Sequence, residues 1–156
     1  MELTIGINAK NRKKIVEILT DFLADTYVLY VKTQSIHWNI EGPAFIGLHL
    51  LLQKQYENLA EAADEIAERI RSLGHYAPGS LAVFVKRSSL PEETKALPWR
   101  QMMQRLVKAH EWMASNYREW IPGFQKLGDE ISADMLIQKI AYHEKQAYLL
   151  RSHLGK

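Results

Sequence analysis

The sequence predicts an all-α fold, a bundle of four long helices with one long connection carrying a short helix between the second and third. Three observations predict it. Apolar residues recur at three- and four-residue steps through four long runs. Capping and breaking residues cluster between those runs. No segment alternates apolar and polar residues, as a strand does, for more than three or four positions.

The first helix should start near Asn8, a good cap, and run through Ile15, Leu19, Phe22, Leu23 and Leu29 to about His37, where Asn39 to Pro43 ends it. The second reads from about Phe45 to Leu73 on Leu48, Leu52, Leu59, Ile66 and Ile70, and Gly74 supplies a left-handed cap. A short helix from Leu81 to Arg87 lies in the connection. Ser89-Leu90-Pro91-Glu92 has the form of a capping box, so the third helix begins there or after Pro98. Its body carries Leu106, Val107 and Tyr117, with Met102, Met103 and Met113 as core filler, until Pro122-Gly123 kinks or breaks it. The fourth spans about Ser132 to His153.

At 156 residues the chain makes one domain, residues 1–156, large enough to bury roughly 70% of the surface its unfolded form exposes. A net charge of +2, with opposite signs interleaved, does not by itself imply nucleic acid. The absence of cysteine removes disulfides and thiolate metal sites and fits a reducing compartment. No apolar run approaches a membrane span, and the N-terminus lacks the pattern of a secretory signal, so a cytoplasmic protein is expected.

His37, His49, Asp64 and Glu68 are the residues with metal-binding character, because imidazole nitrogen and carboxylate oxygen together suit iron, zinc or manganese. His49 and Asp64 share one predicted helix and stand roughly 22 Å apart along it, whereas a metal–ligand bond is about 2 Å. One chain cannot close such a site. Two copies of the helix packed antiparallel about a two-fold axis near Tyr56 and Glu57 would bring His49 of one opposite Asp64 and Glu68 of the other, and would make two equivalent sites. Asp64 and Glu68 are one turn apart and can face one metal together. Taken alone, those carboxylates read as a solvated face, with Glu68 paired to Arg69 or Arg71, and a lone histidine reads as a core residue.

His37-Trp38-Asn39, then Glu41-Gly42, Phe45, Leu48-His49, Tyr56-Glu57 and Asp64-Glu65-Ile66-Ala67-Glu68-Arg69-Ile70, resembles the signature of the Dps family, the miniferritins named for DNA-binding proteins from starved cells. The match is dense over these residues and extends more weakly along the chain. The resemblance implies a ferritin-like four-helix subunit and a hollow homo-dodecamer that oxidises Fe(II), preferably with hydrogen peroxide, and stores ferric iron. It implies catalytic metal sites at two-fold interfaces, with His37 and His49 from one subunit, Asp64 and Glu68 from its partner, and about two irons per site at most. Ordinary ferritins use Glu-x-x-His pairs within one subunit, and no Glu-x-x-His occurs here.

Two positions depart from the pattern. One turn after His49, where the family commonly carries an acid, stands Gln53, a neutral and weaker donor that would hold a second iron weakly or through water. Tyr148 replaces the family's late tryptophan. Asp129 and Asp134 resemble the acidic three-fold pore through which iron would enter, although acids at a helix start are also stabilising against its dipole. Trp38 is expected to pack at the end of the first helix. His110, His143 and His153 have no carboxylate at a suggestive spacing and read as structural. DNA binding is expected to be weak at physiological salt, because Met1 to Ile7 carry no Lys or Arg and the C-terminus adds little beyond Arg151 and Lys156. The rival readings are a DNA-compacting protein of the bacterial nucleoid with a vestigial metal site, and an inert helical interaction module.

Overall fold

In the computed structural model, residues 3–155 are described, so Met1, Glu2 and Lys156, ends on which the DNA reading partly rests, lie outside. The helices are α1 (Ala9–Asn39), α2 (Phe45–Ser72), α3 (Leu81–Arg87), α4 (Trp99–Lys126) and α5 (Glu130–His153). α1 packs chiefly on α2 and α4 chiefly on α5, so the bundle is two helical hairpins; α3 lies on α1, and an α1–α4 contact helps join the halves. No helix among the described residues is long and apolar enough to cross a membrane.

The expected signals set most boundaries. Asn8 caps α1 by accepting from the Asn11 N–H at 2.9 Å. At the end of α2, Gly74 takes φ +86, the Gly74 N–H donates to Arg71 O and the His75 N–H to Ile70 O, which satisfies the last carbonyls. The core between the hairpins is filled by Leu19, Phe22 and Leu29, by Leu52, Leu59 and Ile66, by Met103, Met113 and Tyr117, and by Leu136 and Leu150. Phe22 meets Tyr117 edge to face at 4.8 Å, a favoured aromatic geometry.

The structure decides between the alternatives at two boundaries and moves a third. α4 begins after Pro98, not at the serine box, because the Ser88 hydroxyl and the Ser89 N–H donate to the buried carboxylate of Asp25 and pin that segment onto α1. Pro122 does not end α4, which continues to Lys126 with Phe124 wholly buried. α5 starts two residues before Ser132, since Asp129 is its cap and accepts from the Ser132 N–H at 3.0 Å.

Candidate metal centre

The turn from α1 to α2 is short, and it brings His37 in the last turns of α1 beside His49 in the second turn of α2. Gly42 makes the turn possible: its φ is +108, and a Cβ there would stand 3.1 Å from the Trp99 ring. The imidazoles stack with centroids 3.8 Å apart and planes 18° apart. Each Nδ1 reaches the main chain of the other residue, His37 Nδ1 to His49 O at 2.9 Å and His49 Nδ1 to His37 O at 3.1 Å. A carbonyl oxygen can only accept, so each Nδ1 carries the hydrogen, and in the neutral ring the free lone pair is then on Nε2. That is the tautomer in which a histidine binds a transition metal, with its second nitrogen fixed by a backbone carbonyl. Tyr56 and Phe45 wall the pair, Tyr56 edge-on to His37 at 5.1 Å and Phe45 at 5.0 Å from His49.

Asp64 and Glu68 stand on the exposed face of the same α2 that carries His49, four turns and more further on. Among the described residues no three His, Asp or Glu side chains gather into a group that could hold a metal ion. Glu68 is not paired with Arg69: that guanidinium turns to α5 and meets Asp129 at 2.6 Å. Arg71 stacks on Tyr76 instead. Asp64 borders a cleft floored by the small side chains of Ala60, Ala63 and Ala67.

Gln53 follows His49 by one turn, and its amide donates to Glu57 Oε1 at 2.9 Å, which leaves its own oxygen available. Asp129 is buried, ion-paired to Arg69, and also accepts from the Ser132 hydroxyl at 2.5 Å. Asp134 is exposed and accepts only from Gln138 at 2.8 Å. Trp38 is not buried within the chain; it is 67% exposed.

His110 on α4 and His143 on α5 form a second pair that spacing alone did not reveal. Their Nδ1 atoms are 2.9 Å apart inside the apolar core, so one ring donates to the other. Among the described residues His110 Nε2 has no partner. Burial lowers the pKa of His110 to about 3 and pushes His143 well down too, helped by His110 and Lys139 nearby. Both are uncharged at neutral pH, as their structural assignment requires.

Five helices in this order, and a match of residues 16–156 to the model of the ferritin-like domain, define a ferritin-like protein. An uncharacterized low temperature-induced protein of Nostoc sp. is 37% identical over 157 residues, covering 97% of this chain and 86% of that protein. The DNA protection during starvation protein of Listeria innocua is 32% identical over 142 residues, covering 90% and 91%. The solved structure of DpsC from Streptomyces coelicolor covers 99% of this chain and 91% of its own, with TM-score 0.93 at 28% identity. The chain belongs to the Dps family of ferritin-like proteins.

Proposed function

We propose that the chain is a cytoplasmic miniferritin that binds and oxidises Fe(II), preferably with hydrogen peroxide, at sites shared between two subunits. A hollow dodecamer would store the ferric product and so protect the cell from oxidative damage. The observation that carries this reading is the locked His37–His49 pair, which offers two fixed Nε2 donors without closing a site in one chain. Asp64 and Glu68 of a second copy complete the set, and their negative charge favours the ferric product over the ferrous substrate. Two Fe(II) each give one electron, the O–O bond of peroxide breaks, and two protons are taken up to leave two waters. Pairing the electrons avoids the one-electron cleavage that releases hydroxyl radical.

Surface chemistry supports the shared arrangement. Trp38, Ile46 and Leu50, beside the histidines, are 67%, 66% and 54% exposed, more apolar area than a solitary subunit needs to show. Of the two candidate pore acids, Asp134 is the one left open to solvent, while Asp129 is engaged with Arg69.

The test is anaerobic loading of the purified oligomer with Fe(II), then peroxide and oxygen in parallel, following ferric absorbance against the His37→Ala, His49→Ala variant. Fast oxidation by peroxide, lost in the variant, supports the reading; equal slow rates sink it. Light scattering should give about twelve times the 18.0 kDa chain mass, and a monomer would remove the shared site altogether. Gln53 favours one second reading, a DNA-compacting protein with weak oxidation. DNA retardation persisting at physiological salt, without iron oxidation, would select it.

A further inference from the structure

Lys32 is an anomaly of α1. Its side chain is only 7% exposed, yet among the described residues it makes no hydrogen bond and no ion pair. Its ammonium is not among the polar atoms sealed from solvent, so it opens unpaired into the adjoining space. The nearest carboxylate, Glu93, is instead 2.8 Å from Arg105. Burial accordingly lowers the pKa of Lys32, with Glu93 opposing and Arg105 adding to the shift.

Lys32 lines a cavity of about 580 Å³ between α1, the start of α4 and the segment leading into it. Across from it, Gln101, Gln104, Arg105, Lys108 and Trp112 also line the cavity, and their spacing puts them on one face of α4. Ser89, Leu90 and Pro91 close the side, in the segment that Asp25 pins to α1. Among the described residues the lining thus carries three cations and no carboxylate, with two amides and a hydroxyl as further donors and an apolar side made by Leu90, Pro91 and Trp112, while Glu92 and Glu93 line the adjoining cleft that Lys32 also borders.

We propose that this cavity binds a small phosphate-bearing molecule, its phosphate held by Lys32, Arg105 and Lys108 and any organic body lying against Trp112. Three positive groups and several neutral donors around one point suit an anion with three or four oxygens, with Lys32 and Lys108 unpaired among the described residues and Arg105 offering the N–H groups that its pair with Glu93 leaves free. Lys32 is set deeper than the exposed Arg105 and Lys108, which favours a small solute, either orthophosphate or a nucleotide, over a duplex backbone. The site is independent of the metal centre, and its success or failure leaves the iron reading untouched.

The test is calorimetric titration of the intact oligomer, at physiological salt, with inorganic phosphate and separately with adenosine monophosphate. Saturable binding is expected, weakened at least tenfold in Lys32→Met, which keeps the length of the side chain and should assemble. Equal affinity for the two probes identifies orthophosphate as the ligand, and tighter binding of the monophosphate identifies a nucleotide. Should Lys32→Met fail to assemble, the surface variant Arg105→Gln, Lys108→Gln carries the test, with the same tenfold loss expected. No saturable binding by the parent overturns the proposal, as does binding unchanged in whichever of these variants assembles.

Discussion

The His37–His49 and His110–His143 pairs are each built from two imidazoles on neighbouring helices, and they differ in where their hydrogen bonds go. In the first, main-chain carbonyls consume both Nδ1 hydrogens and leave two Nε2 lone pairs at a partly exposed turn. In the second, the rings bond to each other within the core, at 0% and 2% exposure, with Tyr142 and Tyr117 around them. What separates a candidate ligand from a structural histidine is therefore neither pairing nor proximity. It is the partner that fixes the tautomer, and whether the remaining nitrogen opens outward.

The most drastic way to break the comparison is to delete each pair and read both rate and stability. His37→Ala with His49→Ala should lower peroxide-driven iron oxidation at least ~10-fold in stopped-flow absorbance, by analogy with losses on disturbing metal-site histidines. Deleting the core pair as His110→Leu, His143→Leu should leave that rate unchanged in the assembled protein. If the second variant were the slower one, the roles would be reversed.

Stability should divide the other way. His110→Leu alone strands the His143 Nδ1 in the core and should cost about 1–3 kcal/mol in urea denaturation at pH 7, whereas replacing both rings together should be close to neutral. Acid adds a second signature. The unfolded chain protonates these histidines near their ordinary value of 6.5, while folded His110 stays neutral down to about 3. The unfolded state then binds more protons, so stability is complete above pH 6.5 and falls as pH drops below it, by about 1.4 kcal/mol per pH unit for each such histidine. Melts between pH 7 and 4 should show that slope in the parent and a flatter one in the double leucine variant.

Smaller changes sharpen the contrast. Asp129→Asn keeps a capping oxygen for α5 but removes the charge opposite Arg69, and should cost about 2 kcal/mol by thermal melt, less than full removal of one partner from a deeply buried pair. The smallest effect is expected from Gln53→Glu. A carboxylate one turn after His49 should raise oxidation at low iron modestly, and it should slightly destabilise the iron-free protein, because it faces Glu57 in place of the present amide donor. No change in the iron dependence would mean that this position does not reach the metal.

Much of the bundle was legible because its helices are long and amphipathic and their ends carry local signals: Asn8, Gly74 and the residues of α3 are where the pattern put them. Local signals that the fold does not use were overridden from far away in sequence. Ser89 resembles a cap, yet its N–H is claimed by Asp25, 64 residues earlier. Arg69 sits beside Glu68 but bonds Asp129, 60 residues on. The adjacency of His37 and His49 follows from one short turn, whereas His110 and His143 meet only because α4 and α5 pack, which no spacing rule encodes. Burial of Lys32 was likewise invisible, since lysine at a helical position ordinarily reads as surface.

The division into two hairpins bears on the order in which this molecule comes into being. Every candidate ligand, His37, His49, Asp64 and Glu68, belongs to the first hairpin, and none to α4 or α5. Domains are made from the N-terminus onward, so the half of a subunit that carries the candidate ligands leaves the ribosome while the second hairpin is still being translated. Under the shared-site reading, a nascent chain carries all the ligands and still cannot trap iron. On that reading capture would wait for two finished chains to meet, and iron occupancy would be a record of assembly as well as of supply.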